Sequence, residues 1–106
     1  MSEITQERME MAMTYLAETD KDYAVEKAEL ERSEIGRKRA RATVFLTVDG
    51  TVAERQAKSE IHETVTQSDD RYIECVKIYE TLKARRERAE IVIDVWRSLN
   101  AARRKI

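Results

Sequence analysis

Nothing constrains this chain more than its lack of punctuation. In 106 residues there is no proline, and the only glycines are Gly36 and Gly50. Proline and glycine are the residues that end helices and turn strands. A β domain of this size needs many tight turns and the residues that make them. Long uninterrupted elements are what remains. Composition agrees: charged residues make up 39% and aromatics 6%, and Ala, Glu, Lys, Arg and Leu recur as they do in long helices and coiled coils. The length suits one domain rather than two, so residues 1–106 are expected to form a single helical domain.

Connectivity turns on "VFLTVDGTVAER", residues 44–55. Asp-Gly between apolar runs is a hairpin signal. The residues that follow do not supply a second strand, because Val52, Ala53, Gln56, Ala57, Glu60 and Ile61 have helical spacing. Thr51 and Glu54 fit the Thr-x-x-Glu capping box, and Gly50 suits the left-handed residue that closes a helix. Residues 48–51 are therefore expected to form a helix–helix turn, with the β-branched run before Gly50 the feature that fits least.

Upstream, Met9, Leu16, Tyr23 and Leu30 recur every seven residues, with Met13, Ala17, Ala24, Ala28 and Ile35 expected to thicken the stripe. A seven-residue repeat keeps one seam facing a partner helix. Ser2 and Thr5 are candidate caps for its start, and the register blurs after Ile35. Downstream, residues 66–70 are poor helix material, and Ser68-Asp69-Asp70 resembles a fresh N-cap. A second seam then follows: Tyr72, Tyr79, Arg86 and Ile93 with Cys75, Leu82, Ala89 and Trp96, flanked by Ile78, Val92 and Leu99. Arg86 is its one charged interruption, a residue that can specify register. The predicted fold is all-α, a long antiparallel helical hairpin or three-helix coiled-coil-like arrangement, with helices at about 4–47, 52–66 and 69–103.

Charge is laid out in blocks. Residues 1–34 are net −6, 35–48 net +4, 49–82 net −4 and 83–106 net +5. Folding back at Gly50 sets each block beside one of opposite sign. The helix dipole alone also favours helices that begin acidic and end basic, and the two explanations are compatible. The whole chain is net −1, so no global field draws a partner.

Two basic clusters are candidate nucleic-acid-binding surfaces: Arg37, Lys38, Arg39 and Arg41, and Lys83, Arg85, Arg86 and Arg88. Arg and Lys on one helical face bind phosphate through counterion release. The competing explanation is a solvated face, or pairing with the acidic blocks, and no aromatic is interleaved for base stacking. Tyr72, Tyr79, Trp96, Arg97, Arg103 and Arg104 are candidate partner or oligomer contacts; Trp96 also fits the seam. Met9, Met11 and Met13 divide between seam and exposed face.

No constellation demands a chemistry. His62-Glu63 begins like a metalloprotease helix, but Thr66 stands where the second His would be, and His62 is the only histidine. Cys75 is the only cysteine, so no intrachain disulfide forms, and its seam position predicts a buried thiol. There is no glycine-rich phosphate loop and no Ser-His-Asp set. The expectation is no enzyme, no cofactor, no metal and no small-molecule substrate. No apolar run reaches the roughly 18 residues of a membrane span, and the acidic N-terminus lacks a signal-peptide core, so a cytoplasmic protein without membrane contact is expected. A single hairpin gives each helix one neighbour and little core, which predicts a homo-oligomer, dimer or tetramer.

Two stretches, "VFLTVDGTVAERQAKS" and "AEIVIDVWRSLNAARR", together resemble small, mostly uncharacterised helical proteins of bacteriophages and prophages. The residues that carry the resemblance are Val52, Glu54, Arg55, Trp96, Arg97, Asn100, Arg103 and Arg104. It implies a phage-encoded protein in the host cytoplasm, with an accessory role in DNA recombination or replication. Two functions follow from the sequence: a non-enzymatic oligomerising scaffold or protein-binding protein, and a nucleic-acid-binding accessory factor using the basic clusters.

Overall fold

The computed structural model of the chain describes residues 4–104. All regular structure among them is helical: α1 (Gln6–Thr47), α2 (Val52–Ile61) and α3 (Glu63–Arg104). The helix α1 starts where Thr5 caps it. The Thr5 hydroxyl accepts the Arg8 N–H at 3.2 Å, and the Thr5 carbonyl accepts the Met9 N–H at 3.1 Å. Ser2, the other candidate cap, lies outside the described residues. The helix runs through Gly36 as one element.

The turn at Gly50 joins two helices, as its chemistry predicts. Gly50 has φ of +125°, a conformation that L side chains avoid. The Thr51 hydroxyl accepts the Glu54 N–H at 3.2 Å, which forms the Thr half of the capping box. The last carbonyls of a helix have no partner within it. In the turn just past α1, Arg55 Nε donates to the Val48 carbonyl at 2.9 Å and Lys58 Nζ to the Asp49 carbonyl at 2.7 Å. The Arg55 guanidinium also lies over the Phe45 ring, 4.9 Å from its centroid. The β-branched run stays helical because Val44 is buried; packing overrides a weak intrinsic preference.

The second break falls earlier than the sequence suggests. Helix α2 ends at Ile61 rather than near 66, and α3 begins at Glu63 rather than 69. His62 is the hinge, extended at φ −69°, ψ 138°. Its Nδ1 accepts the Thr64 N–H at 3.1 Å, and its carbonyl accepts the N–H groups of Val65 and Thr66. Ser68 caps nothing; its hydroxyl donates back to the Val65 carbonyl at 2.8 Å. Val65 explains the difference. It is the one fully buried large side chain among the described residues, and burying it holds the β-branched first turn of α3 helical.

The chain forms two compact units, both containing parts of α1 and α3. One comprises the residues up to Ala24 and from Glu80 onward; the other comprises 25–79 and includes α2. In the first unit Ala12, Ala89 and Ile93 form the core, with Met9, Tyr15, Leu16 and Val92 against it. The two helices run antiparallel there, since Ala12 meets Ala89 and Ile93 while Asp20, further along α1, meets Arg86. In the second unit Glu29 pairs with Arg71 and Arg41 with Asp69, again antiparallel.

The seam of α3 follows the predicted heptads. Tyr72, Tyr79, Arg86 and Ile93 alternate with Cys75, Leu82, Ala89 and Trp96, all buried or half-buried. The seam of α1 holds Met9, Leu16, Tyr23 and Leu30 as expected, but its second row is different. Ala12, Thr19, Glu26, Ser33 and Ala40 turn inward, whereas Met13, Ala17, Ala24, Ala28 and Ile35 are exposed. Nor does the register blur after Ile35, because Arg37, Ala40 and Val44 carry it on. Small and polar residues fill that row, so apolarity alone points to the wrong flank. The seam is consequently thin. Ala12, Val44, Val65, Cys75, Ala89 and Ile93 are its buried apolar residues, and a larger set, including Met11, Leu46, Ile73, Ile91, Val95 and Leu99, stays exposed.

Candidate interaction surfaces

Arg86 anchors the first unit. A charge in a heptad seam must find partners or destabilise it, and Arg86 finds several on α1. One guanidinium nitrogen donates to the Leu16 carbonyl at 3.0 Å and the Thr19 hydroxyl at 2.7 Å; the other reaches Asp20 Oδ1 at 2.6 Å. The group lies over the Tyr23 ring at 4.9 Å. Thr19 in turn donates to the Tyr15 carbonyl at 2.7 Å. These contacts exist only when the heptads of α1 and α3 are aligned this way, so Arg86 fixes register.

Arg41 does the same in the second unit. It makes a bidentate contact with Asp69, 2.7 Å on each arm, and its Nε donates to Glu60 of α2 at 3.0 Å. One side chain thereby ties three helices together. Arg37 approaches Asp69 at 3.6 Å and stacks over the Tyr72 ring at 4.5 Å. The hydrogen bond from Arg41, more than the field of Arg41 and Arg37, holds the Asp69 carboxyl below its usual range against the opposing effect of partial burial. The bonds to Asp69 and Glu60 raise the Arg41 pKa further above its already high value.

The two basic clusters therefore differ. In the first, Arg37 and Arg41 face carboxylates within the seam, and Lys38 lies 3.7 Å from Glu34 on its own helix. Arg39 is exposed and has no carboxylate partner among the described residues. In the second, Arg86 is spent on α1, while Arg85 and Arg88 are exposed and Lys83 is half-buried, none with an ion pair among the described residues. The clusters fall in different units. Of the candidate partner contacts, Tyr72, Tyr79 and Trp96 occupy seam positions and are half-buried; Arg97, Arg103 and Arg104 are exposed along the end of α3. Lys105, which continues that basic tail, lies outside the described residues. Cys75 is a buried free thiol, in line with its seam position.

The surface that sequence reasoning missed lies on one flank of the first unit. Met11, Ala12 and Tyr15 of α1 and Arg85, Arg88, Ala89 and Val92 of α3 line an open apolar groove of about 280 Å³. Met11 and Tyr15 also border a second depression, with Glu7, Glu10, Thr14 and Glu18. Along α3 the flank continues at helical spacing from Arg85 through Arg88, Val92, Val95 and Leu99. Met11 is 64% exposed, and Val95 and Leu99 are about 40% exposed. The signal is present as spacings of three and four beside the seam: the sequence places Val92 and Leu99 as flanking residues, but nothing in α3 alone joins them to Met11 and Tyr15 of α1. The opposite flank of α3 carries Glu87, Glu90, Asp94 and Arg97 instead.

Among the described residues no three His, Cys, Asp or Glu side chains gather as a metal site, and no helix is long and apolar enough to cross a membrane. Compared with known proteins, the chain matches no family model, and neither the curated proteins nor the solved structures contain a detectable relative.

Proposed function

We propose that this chain is a non-enzymatic helical scaffold that self-assembles and presents its helix faces to a protein partner. The observation that carries this reading is the thin seam: more large apolar side chains lie exposed than are buried between α1 and α3. Exposed apolar stripes are costly in water and mark surfaces that something covers. The phage-type accessory role implied by the resemblance is compatible with a small scaffold of this kind. Size-exclusion chromatography with light scattering at about micromolar concentration tests it. The scaffold elutes at a multiple of 12.4 kDa; a monodisperse monomer with a sharp melt overturns the reading.

A second reading, nucleic-acid binding, keeps one supporting observation: Arg85, Arg88 and Lys83 make no ion pair among the described residues. The internal pairing of Arg37 and Arg41 with Asp69 and Glu60 weighs against it. Fluorescence anisotropy with a DNA duplex at about 50 mM salt separates the two, because electrostatic association is strongest at low salt. The scaffold reading expects no binding there.

A further inference from the structure

We propose that the groove flank of the first unit is a two-fold contact that takes a second copy of this chain. The inference rests on the self-assembly reading and names its surface. The flank holds an apolar centre, Met11, Tyr15, Val92 and Val95. Beside that centre the charges divide by helix: Glu18 stands on the α1 side, and Arg85 and Arg88 stand on the α3 side. None of these three makes an ion pair among the described residues, and all are exposed. The face thus carries an acidic edge, an apolar middle and a basic edge.

Such a face is complementary to itself. A two-fold axis running along the helices places each α1 opposite the α3 of the other copy at the same level. An isologous contact repeats every pair twice, so each Glu18 meets Arg85 and Arg88 of the other copy, and each Met11 meets its Val92 and Val95. A two-fold axis across the helices would instead set α1 on α1 and α3 on α3, with acid on acid and base on base. Charge therefore selects the occupant and the orientation, giving a four-helix arrangement with each first unit contributing two helices. The seam's missing burial is supplied from the same flank.

Charge exchange tests this. Glu18→Arg and the double variant Arg85→Glu with Arg88→Glu are each compared with wild type by sedimentation equilibrium. These exposed side chains make no hydrogen bond or ion pair among the described residues, so helicity by circular dichroism is unchanged. Each variant alone is expected to weaken self-association at least about tenfold, since like charges now face each other at both symmetric sites. An equimolar mixture of the two is expected to restore association to within about threefold of wild type. Arg39→Glu, in the second unit, leaves it unchanged. Wild-type association that neither variant alters overturns this face while self-assembly stands; loss in both variants without rescue by mixing overturns the pairing. A wild-type chain that stays monomeric overturns both the face and the scaffold reading.

Discussion

The two glycines should respond in opposite directions to the same substitution. At Gly36 an added Cβ meets nothing within 4 Å, and the residue sits mid-helix in α1. Alanine is about 1 kcal/mol better than glycine in a helix interior, so Gly36→Ala gains close to that full amount. In a domain of this size 1 kcal/mol corresponds to a melting shift of roughly 4–8 °C. At Gly50 the backbone has φ of +125°, and an added Cβ would lie 2.5 Å from Glu54 Oε2 and 3.0 Å from Glu54 Cβ. The carboxylate can swing away, but the backbone conformation cannot be relieved without moving the turn. Such strain costs on the order of 1–3 kcal/mol, so Gly50→Ala melts lower. Thermal and urea unfolding followed by circular dichroism, at one fixed protein concentration, reads both. A Gly36→Ala variant that melts lower than wild type would refute a solvent-facing, continuous α1 at that point. A harmless Gly50→Ala would refute the turn geometry.

Three further outcomes follow from named contacts. Arg86→Met keeps an apolar stem in the seam but removes the bonds to Leu16, Thr19 and Asp20. It is expected to cost roughly 1–3 kcal/mol in urea unfolding, whereas Asp20→Ala, at a mostly exposed carboxylate, costs less than about 1 kcal/mol. Asp69 titrates below its ordinary value in the folded chain because Arg41 binds its charged form. Its contribution is therefore fully present above the unfolded pKa of about 4 and is lost as pH falls through the lower folded value. Asp69→Asn should lower stability at neutral pH and leave a shallower acid-unfolding profile in a pH series of melts. His62→Ala removes the acceptor for the Thr64 N–H and should cost about 0.5–1 kcal/mol, while His62→Asp, with a stronger capping group, should preserve or raise the melting temperature.

Much of this fold was legible because the deciding residues act locally. Gly50, Thr51 and Glu54 define a turn by backbone chemistry that no tertiary contact needs to supply. The α3 heptads were legible because Ile93, Leu82, Trp96 and the tyrosines are large and evenly spaced. The α1 seam was half legible. Its second row, Thr19, Glu26, Ser33 and Ala40, is small or polar and looks like a solvated face until α3 covers it. The break at His62 was hidden for a different reason. Histidine is an uncommon cap, and the burial of Val65 that fixes the start of α3 is a long-range fact. The basic clusters could not be sorted by sequence either. Arg41 and Arg39 are two residues apart, yet one is locked between Asp69 and Glu60 and the other faces solvent. The difference is helical phase relative to a seam that α1 alone only partly reveals.

The central claim is that the chain completes its burial by assembling with itself, and the dependence of its melting temperature on concentration tests that most directly. A species that unfolds from dimer to separated chains is stabilised by mass action. Raising the concentration a hundredfold, from about 1 to about 100 μM, adds roughly 2.7 kcal/mol per dimer. Shared between two chains, this corresponds to an upward shift of roughly 5–10 °C in calorimetry or circular dichroism. A melting temperature that does not move across that range would contradict the account, because the thin seam between α1 and α3 would then be sufficient on its own.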